Sequence, residues 1–256
     1  MPFTLSHPAA ILPFCRITGH PVFTVALISG SLTPDVGYYL RTFPLATLAH
    51  TLAGSVIVCL PAGMVLMGGL WLARKPLLWL MPSRIRAVPG SSLTFPEISR
   101  ISLIVRLAFW IWIGALTHIL WDSFTHRTGW FVERIGYLRS SLVIAEGYSF
   151  PVYYFLQQAS TLTGLLIVAV VCVRIVSRSA TDNSQRKGDK LRYCFWIGLA
   201  ALSMILSVPF ALQKAARFEG LLQFRSFVFQ VGILSGGIFT ILAVISLMIV
   251  GWRIRK

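Results

Sequence analysis

The sequence predicts an all-α protein, a polytopic membrane helical bundle of about five transmembrane spans preceded by a short N-terminal helical hairpin. Three observations predict it. Of 256 residues, 56% are hydrophobic and only 12% charged, with a mean hydropathy of +0.75 that no water-soluble domain of this size requires. Five apolar runs each approach or exceed the ~20 residues needed to cross a bilayer. Basic segments separate them, and Trp71, Trp79, Trp121, Trp196 and Trp252 fall near run ends, where indole rings prefer the interface.

Residues 1–47 come first and are the least regular. Ser6 can cap a helical turn holding Pro8, Gly19 and Pro21 break the chain, and a second apolar helix from about Val22 stops at Thr33-Pro34. Each piece is too short to span. A helical hairpin packed among the spans would bring His7 and Asp35 to the same end; a single span from Pro21 to Leu40 would separate them. The spans follow at about 48–73, 101–121, 153–173, 193–213 and 226–252. Arg106 lies near enough to the start of the second to snorkel. With no internal repeat or soluble segment, residues 1–256 read as one membrane domain: the hairpin (1–47), two spans carrying the polar motifs (48–130), then a loop and three scaffold spans (131–256). The loop, with Glu133, Glu146 and Tyr148, is either a lid or a connector. In the scaffold spans and the segments that join them, the candidate polar groups are Gln157, Gln158, Gln213 and Gln230.

The formal charge of +15, from 23 Lys plus Arg against 8 Asp plus Glu, raises nucleic-acid binding as a reading. That reading needs bases interleaved with stacking aromatics on a soluble surface, whereas these bases flank apolar runs and suit anionic lipid headgroups. Basic residues in the 74–100 loop, the 174–192 loop and the C-terminal tail outnumber those on the other side, which predicts a cytoplasmic C-terminus in a bacterial inner membrane. The first apolar stretch lacks a basic n-region, is interrupted by Arg16 and is followed by no small-residue cleavage site, so the N-terminal segment is expected to stay on the protein. Cys15, Cys59, Cys172 and Cys194 lack paired or metal-like spacing and read as small hydrophobes.

The chemistry concentrates at Thr117–Arg127. On a helix, His118, Asp122 and His126 are successive i, i+4 neighbours, so two imidazoles and a carboxylate share one face. An ionisable group where a membrane helix meets the interface is a functional hypothesis with a partner to be named, and these residue types name a metal ion. His50, at the start of the first span, belongs to the same non-cytoplasmic end. In the hairpin arrangement His7 and Asp35 join it, while His20 falls at the hairpin's other end.

The opening Met1-Pro2-Phe3-Thr4-Leu5-Ser6-His7-Pro8-Ala9-Ala10, the turn Gly30-Ser31-Leu32-Thr33-Pro34-Asp35, His50-Thr51, and Gly114-Ala115-Leu116-Thr117-His118 through Trp121-Asp122 to Thr125-His126-Arg127-Thr128-Gly129-Trp130 resemble an uncharacterised bacterial membrane family, the domain of unknown function numbered 4184. The resemblance covers essentially the whole chain. More distantly, the pattern is similar to inner-membrane metal-dependent hydrolases of the YdjM type and to the zinc-dependent phospholipase C and P1 nuclease group. That likeness implies a ligand order of His7, Asp35, His50, His118, Asp122 and His126. The closing His-x3-Glu of the phospholipase group is missing here, which implies one or two ions rather than three.

Imidazole nitrogen and carboxylate oxygen suit zinc, and also manganese or iron. His50, His118 and Asp122 are the expected core ligands, with His7 and His126 completing that ion's shell or holding a second. Asp35 is either a ligand or the base that orients a water, and Arg127 is placed to hold a phosphate oxygen. Each has a bland counterpart: His118 and Asp122 as a helix-locking pair, His126 as a solvated or capping residue, Asp35 and His50 as caps, His7 as a polar neighbour of Pro8, Arg127 as a lipid anchor. The sequence thus predicts a metal-dependent hydrolase acting on a lipid-type phosphoester at the interface. The alternative is a non-catalytic membrane protein with a structural metal or a transport path, for which Pro61, Gly63 and Pro209 would supply helix breaks.

Overall fold

Proline and glycine punctuation builds the N-terminal architecture. In the computed structural model, which describes residues 3–88, 93–145, 148–179, 186 and 188–254, Thr4–Ala9 forms a 3-10 turn and Leu12–Cys15 one turn of α-helix. Ser6 does not cap the first turn as expected; its hydroxyl bonds back to the Phe3 carbonyl at 2.7 Å, and Phe3 is the residue that precedes the turn. Gly19, at φ +71°, reverses the chain into α1 (Pro21–Leu32), whose first N–H groups gain an acceptor from the His20 side chain. Pro34 ends α1 by denying it a backbone donor, and Thr33–Asp35 tightens into a 3-10 turn. The helical path resumes over Val36–Tyr39, but the Thr4 hydroxyl of the first turn reaches Asp35, so His7 and Asp35 come to the same end. The fold takes the hairpin alternative.

Among the described residues, five helical stretches are long and apolar enough to cross a membrane: Leu52–Leu80, Arg100–Arg134, Val152–Arg178, Asp189–Ala215 and Leu222–Ile254. Within them run α2 (Leu60–Leu80), α3 (Arg100–Thr125), α4 (Val152–Arg178), α5 (Asp189–Ala215) and α6 (Gly220–Ile254). The helices outrun the apolar runs at several ends. Arg74 and Lys75, assigned to a loop on hydropathy, continue α2, because both are good helix formers and the Arg74 guanidinium lies over the Trp71 ring, 4.2 Å from its centroid. His50 also moves: it caps the short helix Phe43–Ala49, and the first spanning stretch starts beyond it, with the Thr51 hydroxyl accepting from Gly54 N at 2.9 Å.

The chain divides into two compact units. One comprises 1–37, 42–69 and 93–175, and its core joins Val22, Phe23 and Ala26 of α1 to Met67 of α2 and to Leu107 and Ile111 of α3. α1 and α3 approach closely. A Cβ on Gly30 would lie 2.0 Å from the Ile111 carbonyl oxygen, and one on Gly114 would lie 2.2 Å from that of Leu27. After α3, short helices at Trp130–Arg134 and Gly136–Arg139 lead to an antiparallel ribbon of β1 (Ser141–Ala145) and β2 (Tyr148–Pro151). Val132, Leu138 and Val152 pack with Phe124 and Phe131 to fasten this connector, while Glu133 is exposed on it and Glu146 lies outside the described residues.

The other unit comprises 38–41, 70–92 and 176–256 and is built on the α5–α6 pair. The end of α2 is tied to α5 here. Trp196 donates its indole N–H to the Leu80 carbonyl and Arg192 donates Nε–H to that of Trp79, both at 3.1 Å.

Candidate metal centre

The α1–α3 crossing sets the first ligand. One turn beyond Gly114, His118 is fully buried, and its Nδ1 meets the Ser31 carbonyl at 2.7 Å. Asp122 follows at i+4 with 4% exposure. The 3-10 turn after α1 delivers Asp35, also fully buried, and its Oδ2 accepts from the Thr4 hydroxyl at 2.5 Å. His50, at the C-cap of Phe43–Ala49, aligns its Nδ1 on the Ala46 carbonyl at 2.8 Å. His7 stacks face to face on His118, with ring centroids 3.5 Å apart. Side chains from four separate segments thus converge.

Four atoms form a compact set. His50 Nε2 lies 3.2 Å from Asp122 Oδ2 and 3.5 Å from Asp35 Oδ1; His118 Nε2 lies 3.4 and 3.6 Å from the same two oxygens. A tetrahedral ion with ligands at ~2.0–2.1 Å separates its donors by roughly 3.3–3.4 Å, close to the spacing of these four imidazole–carboxylate pairs. Charge-assisted N–H···O bonds would be shorter, near ~2.7–2.9 Å. Because a carbonyl only accepts, Nδ1 of each imidazole must carry the proton, and in the neutral ring Nε2 then presents a lone pair. In that state lone pairs face carboxylate lone pairs, an arrangement that a metal ion, or a proton on one of the imidazoles, would relieve. The two carboxylates carry a formal charge that one divalent ion balances.

Hydrogen bonding gives the same answer. Among the described residues Asp35 Oδ1, both Asp122 oxygens, His118 Nε2 and both His7 nitrogens are buried with no hydrogen-bond partner. Leaving one such group unsatisfied costs about 1–3 kcal/mol, and more when it is charged. Two sets of three ligand atoms, from His7, Asp35 and His118 and from His50, His118 and Asp122, are close enough to hold a metal ion. The carbonyls of Ser31 and Ala46 are the outer partners that orient metal-binding histidines in such sites. Asp122 uses both oxygens: Oδ2 faces His50 and His118, and Oδ1 faces His7 Nε2 at 3.5 Å.

Electrostatics divide the ligands outside the spans. Burial, helped by His118, pushes the His7 imidazole down to about 3, so it is neutral and free to ligate. Burial would raise Asp35, but His118, His50 and the Thr4 hydroxyl outweigh it and keep the carboxyl ionised. Burial opposes charge on His50 too, and there Asp122 and Asp35 prevail, lifting it to about 10. Without a metal, a proton on His50 meets part of the demand of the carboxylates. A metal ion would compete with that proton.

The remaining sequence-derived candidates separate. His126 does not extend the helical face, because α3 ends at Thr125 and His126 is its extended C-cap, with φ −114° and ψ 143°. The turn that follows closes on Gly129, where a Cβ would lie 2.4 Å from the Ser123 carbonyl oxygen. His126 still comes back to the site, with Nδ1 3.1 Å from the Asp122 carbonyl and 3.5 Å from its Oδ2. Its Nε2 meets Gln157 Nε2 of α4 at 3.3 Å, so the amide donates there and the ring proton sits on Nδ1, facing Asp122. Arg127 is exposed one residue further on. His20 caps α1 and takes no part in the cluster.

Thr4 and Gln157 are the side chains whose part in the site the sequence reading missed. Thr4 carried a faint signal, since i and i+3 eclipse in a 3-10 turn and Thr4 stands three residues before His7. Gln157 stood out only as an amide inside an apolar span.

No curated protein and no solved structure matches this chain. Neither comparison ties it to the YdjM-type hydrolases or to the phospholipase group. A family model described as a domain of unknown function, DUF4184, matches residues 1–247, and its reach across both the ligand-bearing segments and the later helices assigns the chain to that family.

Proposed function

We propose that this protein is a membrane-bound, metal-dependent hydrolase that cleaves a phosphoester, of lipid type, at the membrane interface. The observation that carries the reading is the buried set of His50 Nε2, His118 Nε2, Asp35 Oδ1 and Asp122 Oδ2 at 3.2–3.6 Å, with both imidazoles oriented by backbone carbonyls. Zinc suits this donor set best, with manganese or iron next. A divalent ion bound there would acidify a water and neutralise a phosphoryl oxygen. His7 adds a neutral nitrogen beside the second oxygen of Asp122. His126, through Nδ1–H, donates toward that carboxylate, and Arg127 offers a guanidinium fork for a phosphate.

Access and location support the lipid substrate. His50 and His126 are the partly open members of the cluster, with side-chain exposures of 19% and 24%. Trp121 and Trp130, at the same end of α3, are exposed as interfacial indoles are. Ile17, Phe43 and Leu52 are exposed apolar groups of this unit that suit contact with acyl chains. On the distribution of basic residues, this end faces away from the cytoplasm of a bacterial inner membrane.

A structural metal site is the second reading, favoured by the closure of the set with four side chains, since catalytic sites keep an open position. Elemental analysis of detergent-purified protein tests both. The expected result is one or two transition-metal ions per chain, lost in Asp122→Asn and His118→Ala at matched folding. Wild-type protein that stays metal-free after loading with zinc and manganese would end both readings. Metal without turnover on a panel of phosphoester lipids would leave the structural one.

A further inference from the structure

A cleft of about 420 Å³ opens where the end of α2 and the turn Ser83–Arg86 meet the start of α5, lined by Arg84, Arg186, Asp189, Lys190, Tyr193 and Cys194. Its charge balance is uneven. Asp189 is the one acidic lining residue among those described, and both its oxygens are engaged: Oδ1 accepts from Ser83 N at 2.9 Å and Arg192 Nη1 at 3.1 Å, and Oδ2 from the Ser83 hydroxyl at 2.5 Å. That carboxylate is balanced by Arg192. Arg84, Arg186 and Lys190 form no ion pair among the described residues and remain as surplus positive charge.

The floor of the cleft is fastened. Besides the Ser83–Asp189 bonds, Arg192 and Trp196 hold the carbonyls of Trp79 and Leu80, so the end of α2 cannot leave α5 without breaking four hydrogen bonds, three of them half-buried. Its depth in the bilayer is marked as well. One apolar stretch ends at Leu80 and another begins at Asp189, and Trp79 is 54% exposed beside them. These features set the three cations at headgroup level.

We propose that this cleft is a binding site for a phosphate-bearing anion, presented either by an anionic lipid headgroup or by a free phosphate compound. Guanidinium groups match phosphate oxygens in pairs, the lysine adds a mobile point charge, and the Tyr193 ring gives the glycerol or sugar portion a surface to lie on. Basic pockets between membrane helices recognise lipid phosphates in this way. The site does not depend on the metal reading, since it shares no residue with the His/Asp cluster.

Native mass spectrometry of the full chain in detergent, titrated with phosphatidylglycerol or phosphatidylcholine, tests the proposal. The wild type should retain phosphatidylglycerol at least ~10-fold better, because juxtamembrane cations attract anionic lipid. Arg84→Gln/Arg186→Gln/Lys190→Gln should abolish the preference, and Arg84→Lys/Arg186→Lys should keep most of it, which separates lost charge from lost fold. Competing inorganic phosphate at millimolar concentration distinguishes the sources: displacement of the lipid assigns the site to soluble phosphates, and retention assigns it to headgroups. Equal retention of both lipids with no effect of phosphate, or a preference that survives the triple Gln variant, would overturn the proposal.

Discussion

Two apolar helices stand in opposite surroundings. α1 has 12 residues, seven of them buried, among them Ser29, Gly30 and Ser31; α6 has 35 residues, and its most apolar window has none buried within the protein. Hydropathy treats them alike. Length and small residues tell them apart, because a helix too short to span must hide its apolar surface against protein, and glycine and serine let another backbone come near enough to share hydrogen bonds. The approach of α1 to α3 aims the Ser31 carbonyl at His118, whereas α6 offers surface.

Glycine substitutions should break this comparison most forcefully. Gly114→Val drives a side chain into the Leu27 carbonyl and should destabilise the protein by about 3 kcal/mol, the upper end of overpacking penalties, while displacing His118. Thermal unfolding in detergent and metal content should fall together. Gly237→Ala in α6, where an added Cβ meets nothing within 4 Å, should instead be neutral or stabilise by up to about 1 kcal/mol and leave metal content unchanged. If the two variants behaved alike, the crossing would not be what builds the site.

Thr4→Val is the next largest effect. It leaves Asp35 Oδ2 buried without its donor, and loss of such an outer contact typically costs about 10- to 100-fold in metal affinity, readable by competition with a chromophoric chelator. Gln157→Leu should do less, at most about 10-fold in any phosphoesterase turnover with metal retained, because it frees the ring of His126 without removing His7, Asp35, His50, His118 or Asp122. An equal loss of metal in both would place His126 among the ligands.

Much of this was legible beforehand, and the reasons for the rest are physical. Spacing alone aligns His118 with Asp122, since both sit inside a long apolar helix whose phase is secure. It fails at His126, four residues on, because the helix terminates one residue earlier and no apolar residue marks the stop. The meeting of His7 with Asp35 depended on whether Pro34 ended a helix or bent a longer one, a choice that the length of the apolar run left open. The carbonyls of Ser31 and Ala46 have no side-chain signature at all. They become ligand-orienting groups only through the path of the backbone, and that path rests on Gly30 and Gly114, which by composition look like ordinary membrane-helix glycines.

The smallest expected effect concerns His20, which tests whether position or residue type defines the cluster. Its Nδ1 accepts from Val22 N at 3.2 Å, relieving one orphan donor at the start of α1. His20→Ala should cost about 1 kcal/mol of stability or less, and His20→Asn less still, because Asn is a strong capping residue. Metal content should not change in either, measured at a temperature where both are folded. His50, at the end of a helix, should lose metal when replaced by alanine, although it too bonds the backbone through Nδ1, to the Ala46 carbonyl at 2.8 Å. The two histidines do comparable work for the backbone. They part because only one of them turns its second nitrogen toward Asp35 and Asp122, so metal loss in His20→Ala would mean that α1 itself, rather than the ligand set, controls the site.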